Sequence, residues 1–74
     1  MLIDVRTPEE YAEAHHDGAI NIPVDQIATC LIEATADTPI TVHCKSGARA
    51  HMAQKILQDR GFAHVDLLNG TGAY

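Results

Sequence analysis

Ile40-Thr41-Val42-His43-Cys44-Lys45-Ser46-Gly47-Ala48-Arg49 is the stretch whose reading decides the fold. Its first four residues are rich in β-branched side chains and read as a strand that Cys44 bounds. From Gly47 the period changes. Ala50, Ala53, Ile56 and Leu57 recur on one helical face, Lys55 and Arg60 stand towards the end, and Gly61 is the left-handed stop. A strand passing through a loop of small residues into a helix is half of a βαβ unit, so the sheet around it is expected to be parallel.

Towards the N-terminus, Leu2 to Val5 is a short β-rich run ending at Arg6. Thr7-Pro8-Glu9-Glu10 follows with a capping residue, a proline at the first helical position and a glutamate able to bond back to the cap. That helix is expected to end near Ala14 to Asp17, with Gly18 as its terminator. Ala19 to Ile22 alternates at period two and stops at Pro23, which reads as a brief strand. Asp25 is placed to cap another helix, with Ile27, Ala28, Leu31 and Ile32 at helical spacing, and Asp37-Thr38-Pro39 is a turn. Towards the C-terminus, Val65 to Leu68 is a last strand, followed by Asn69-Gly70-Thr71-Gly72. The expected order is β-α-β-α-β-α-β: an α/β fold with a mostly parallel four-stranded sheet flanked by helices, one domain over residues 1–74.

Composition narrows the function. Ten acidic residues against five Lys and Arg leave a formal net charge of -5, which repels a phosphate backbone or an anionic membrane. With two Tyr, one Phe and no Trp, stacking platforms for nucleic acid are also missing. No apolar run approaches the roughly 18 residues of a membrane span. Neither nucleic acid nor membrane is expected as a partner. Two cysteines and five histidines show no metal-ligand spacing, so neither a metal nor a cofactor is expected. Leu2-Ile3-Asp4-Val5 lacks a basic n-region, so the expected compartment is cytoplasmic, or periplasmic if a signal peptide preceded the numbering.

In open parallel sheets, ligands bind at the carboxyl ends of strands, and Cys44 sits at such a point. The thiolate is the nucleophilic form of cysteine, and a helix N-terminus with cationic neighbours favours it. Ser46 and Gly47 let the backbone curl so that N–H groups converge on an anion, while Lys45 and Arg49 add positive charge at the rim. Cys44 is the candidate nucleophile, and Lys45, Ser46, Gly47, Ala48 and Arg49 are the candidate substrate-binding loop. Asp4 and Arg6 point to one side of their strand, either as support for the site or as an ion pair that stabilises the fold. Glu10 is the capping partner of Thr7. His43 points to the face opposite Cys44 and is not its base; His15 and His16 are surface or packing residues, and His51 does not share the helical face of Arg49. Cys30 is a packed thiol, or a resolving thiol if the fold brings it to Cys44.

These residues together resemble the rhodanese-like sulfurtransferase family, most closely its small single-domain members of the phage-shock protein E type. Leu2-Ile3-Asp4-Val5-Arg6, Pro8-Glu9-Glu10-Tyr11, His15, Gly18-Ala19 and Asn21-Ile22-Pro23 are similar to the family's first motif. Cys44 to Arg49 resembles its catalytic loop, and Gly61-Phe62 with Val65 and Leu68 resembles the run into its last strand. The resemblance implies a sulfurtransferase working through a Cys44 persulfide, with thiosulfate or a persulfide as donor and a thiol or cyanide as acceptor. The alternative is a non-enzymatic module that carries sulfur or binds a partner protein. Phosphatases of similar fold use a loop one residue longer than the four residues, Lys45 to Ala48, between Cys44 and Arg49. Thr71 replaces a usual glycine, and the chain lacks end elements of larger relatives. A four-stranded sheet with an exposed edge is therefore expected, in a monomer or weak dimer.

Overall fold

In the computed structural model, which describes all 74 residues, β1 (Leu2–Asp4), β2 (Ile20–Asn21), β3 (Ile40–His43) and β4 (Val65–Leu67) form one sheet. The spatial order is β2-β1-β3-β4 and every pairing is parallel. Ile3 faces Ile20 on one side and Val42 on the other, and Val42 in turn faces Leu67. From β1 the chain first adds β2 at one edge and then crosses to place β3 on the other side. The carboxyl ends of β1 and β3 therefore flank the point where strand order reverses, the place where such sheets leave a crevice. Asp4 and His43, each the last residue of its strand, are register partners there.

Helix α1 (Pro8–Glu13) begins as its sequence dictates. The Thr7 hydroxyl accepts from the Glu10 backbone N–H, and the Glu10 carboxylate accepts from the Thr7 N–H. Helix α2 (Ala48–Asp59) buries Ala50, Ala53 and Leu57. The two alanines let it lie close to β3, and Leu57 closes the far end. The core is aliphatic: Ile3, Val5, Ile27, Ile40, Val42, Leu57 and Val65 are almost wholly withdrawn from water. Each such side chain contributes about 1.5–3 kcal/mol.

The helix expected after Asp25 does not form. Residues 24–30 run as successive turns, with Gln26 N–H donating to Pro23 O, Ile27 N–H to Val24 O and Thr29 N–H to Gln26 O; the Cys30 N–H bond to Gln26 O spans four residues. Ile27 and Ile32 are both buried while Leu31 is 83% exposed. In an α-helix Leu31 would lie between the two isoleucines on the apolar face, so its exposure does not fit one. The turns bring both isoleucines to the core, and the Arg60 Nη1–H bond to Ile27 O holds the segment down. The chain thus has two α-helices, and a short 3-10 turn (Leu68–Gly70) follows β4. The first helix also stops earlier than expected, at Glu13, and β2 is only two residues long. No helix is long and apolar enough to cross a membrane.

Candidate active site

Cys44 leaves the end of β3 with its N–H donating to Gly72 O at 2.8 Å. Its Sγ accepts the Gly47 N–H at 3.0 Å and the Ala50 N–H at 3.4 Å, so the sulfur sits against the first turn of α2. Both N–H groups point their positive ends at the one sulfur. Gly47 makes the turn possible. Its φ of 107° is left-handed, and a Cβ there would stand 2.5 Å from Thr71 O. At Gly72, a Cβ would stand 2.6 Å from the Ala50 Cβ. Residues 71–73 therefore lie flat against the loop. An antiparallel bridge joins Ser46 to Ala73, and the Tyr74 N–H donates to Lys45 O at 3.1 Å.

Of the remaining loop residues, Lys45, Ser46 and Ala48 face solvent, and Lys45 has no acidic partner. Arg49 does have one. Its Nη1 and Nη2 donate to the two Glu10 carboxylate oxygens at 2.7 and 3.2 Å. The Arg49 side-chain bonds, followed by the Thr7 N–H, hold the Glu10 carboxyl down to about 2 from its usual 4.5. The same pairing raises Arg49 above its ordinary value. His51 Nδ1 lies 2.8 Å from Gly47 O, a bond to its own helix's start that lends the loop rigidity.

Behind the loop, Asp4 is fully buried and Arg6 nearly so. Arg6 donates to the Asp4 carboxylate from its backbone N, Nε and Nη2, the last at 2.7 Å, and Nη2 also reaches Ala14 O. Burial pushes the Asp4 carboxyl up; the Arg6 hydrogen bonds and the nearby His43 outweigh it, leaving the group below its usual range. Asn21 Nδ2 donates to both Asp4 O and Arg6 O, tying the end of β1 to the edge strand. Both thiols are free: Cys44 is buried, and Cys30 is half-buried, packed against the core.

Residues 1–71 match the Rhodanese-like domain family. The chain belongs to the rhodanese-like family. It is 37% identical over 70 residues to the thiosulfate sulfurtransferase PspE of Escherichia coli K12, covering 92% of this chain and 67% of that protein. It is 33% identical to a sulfurtransferase of Allochromatium vinosum, over 95% of this chain and 65% of the relative. The chain thus spans about two thirds of the length of these relatives. Among solved structures, human single-domain sulfurtransferase TSTD1 superposes with a TM-score of 0.87 at 25% identity, over 99% of this chain and 75% of that one.

In this rhodanese-like chain the structure gathers Cys44 to Arg49 at one helix start, with Asp4 and Arg6 beneath them as an ion pair. Two contributors went unrecognised in the sequence. Glu10 reads there as a cap alone, because a capping box accounts for it fully and its Arg49 partner lies 39 residues away. Tyr74 carries no motif, yet its ring stacks on His16 and lies under the Arg6 guanidinium at 4.5 Å.

Proposed function

We infer that the protein is a sulfurtransferase that passes a sulfane sulfur through a persulfide on Cys44. The observation that carries this reading is the pair of backbone N–H groups, from Gly47 and Ala50, aimed at the Cys44 Sγ. They form a fixed dipolar cradle for a negative charge on sulfur, which both the thiolate and the persulfide anion carry.

The Cys44 thiolate attacks the outer sulfur of thiosulfate; a sulfur–sulfur bond forms as the one to the sulfonate breaks, and sulfite leaves with the electron pair. An acceptor thiolate or cyanide then attacks the terminal sulfur of the persulfide and releases Cys44 as thiolate. Two successive displacements give ping-pong kinetics. Lys45, exposed and without an acidic partner, draws the anionic donor towards the loop. Arg49, already engaged by Glu10, orients rather than supplies a free charge. Ser46, Gly47 and Ala48 contribute backbone, and Asp4 with Arg6 keeps the strand end in place.

The test is an intact-mass measurement after incubation with thiosulfate, followed by cyanide and a thiocyanate assay. Wild type is expected to gain one sulfur and to release it as thiocyanate, and Cys44→Ser to do neither. An unmodified wild type, or an undiminished rate in Cys44→Ser, overturns the enzyme reading. A persulfide that forms but discharges only to a particular protein thiol identifies the chain instead as a sulfur carrier. One relative bears that name: the putative sulfur carrier protein YrkF of Bacillus subtilis, 34% identical over 64 residues, 35% of that protein's length.

A further inference from the structure

His43 immediately precedes the nucleophile and is completely buried. Its Nδ1 lies 3.2 Å from the Cys44 carbonyl oxygen. A carbonyl only accepts, so that contact requires the proton on Nδ1. The other ring nitrogen, Nε2, has no hydrogen-bond partner, and Asp4 Oδ2 lies 3.6 Å from it. The carboxylate of Asp4 is already occupied by Arg6. Two further rings fix the imidazole plane: His16 and Tyr74 stand edge-on to it, with centroids 5.0 and 5.4 Å away. With the proton on Nε2 instead, the ring would lose the one hydrogen bond it makes and gain none within bonding distance, since Asp4 Oδ2 stands at 3.6 Å. The ring instead serves the Cys44 carbonyl.

We propose that His43 is a positioning residue for the sulfur-transfer site: as the Nδ1–H tautomer it holds the Cys44 carbonyl, and so fixes the peptide with which the loop leaves β3. The role rests on the sulfurtransferase reading only for its kinetic consequence. The peptide after Cys44 sets where the Gly47 and Ala50 N–H groups meet the sulfur. With the carbonyl released, that peptide can rotate and the cradle loosens. The donor still binds, because Lys45 and Arg49 are unaffected; the displacement slows, because the sulfur is less well aligned. Asn carries an amide N–H where the imidazole carries Nδ1–H, so His43→Asn keeps the bond and His43→Leu removes it.

Three measurements test this. Long-range nitrogen–proton NMR on wild type at pH 8, with His43 assigned by its absence in His43→Asn, is expected to show the proton on Nδ1; a proton on Nε2 alone overturns the proposal without reference to activity. Thiosulfate kinetics are expected to show kcat lowered about tenfold in His43→Leu with KM little changed, and recovered to within about threefold of wild type in His43→Asn. Equal losses in both variants, or a loss carried by KM, would reduce His43 to packing. Iodoacetamide alkylation of Cys44, read on its own peptide by mass, is expected to slow in His43→Leu and not in His43→Asn. Because it requires no sulfur transfer, it separates a failure of this proposal from a failure of the sulfurtransferase reading.

Discussion

Glu10 and Arg49, 39 positions apart, meet in two hydrogen bonds that join the first turn of α1 to the first turn of α2. The same carboxylate closes the Thr7 capping box. One side chain thus sets where a helix begins and how an arginine of the candidate loop is aimed.

This double duty predicts an acid sensitivity. The folded-state value of Glu10 is depressed, from 4.5 to about 2, so its contribution to stability is complete above about 4.5 and is lost as pH falls towards 2. Thermal unfolding over that window should show a smaller loss of melting temperature in Glu10→Gln than in wild type, with the variant already less stable at pH 7. Parallel profiles for the two proteins would show that the ion pair adds nothing.

Lys45 is expected to govern donor capture. With no acid beside it, its charge is available to an incoming anion, whereas Arg49 is engaged. Lys45→Ala should raise KM for thiosulfate about tenfold, the equivalent of roughly 1.4 kcal/mol, with persulfide formation preserved at saturating donor. Added salt should narrow the difference. Steady-state kinetics at two ionic strengths decide it.

Two glycines of left-handed backbone should respond differently to alanine. Gly70→Ala meets no neighbour within 4 Å and should cost about 1–2 kcal/mol from backbone conformation alone. Gly47→Ala meets Thr71 O as well and should cost about 2–5 kcal/mol once overpacking is added. Urea denaturation measures both. Comparable losses would mean that residues 71–73 give way easily.

The turns after Pro23 supply a fourth prediction. Ile27→Ala should destabilise by about 2–5 kcal/mol, whereas Leu31→Ala should stay within about 0.5 kcal/mol. The reverse order, again from urea denaturation, would restore the helix that the spacing favours.

That segment shows where the sequence is legible and where it is not. Ile40 to Asp59 could be read because strand, loop and helix each announce themselves locally, through β-branching, Gly47 and the alanine face. Thr7 to Glu10 was readable for the same reason: a cap is a four-residue event. Residues 24–32 carry an equally helical spacing, but they run as turns whose Ile27 O is held by the Arg60 guanidinium from 33 positions away, a contact no local pattern announces. The candidate loop divides in the same manner. Cys44 and its neighbours are contiguous and conspicuous, whereas the Glu10–Arg49 pairing and the rings around His43 exist only once the sheet has brought β1 beside β3.

The bond from the Cys44 N–H to Gly72 O, with the Ser46–Ala73 bridge beside it, also bears on synthesis. While residues 72–74 remain inside the ribosomal tunnel, the strand that carries the cysteine can emerge but its loop has nothing to close against. Such non-local contacts form late. The contacts that close the loop against its C-terminal neighbours are therefore made only after those residues emerge.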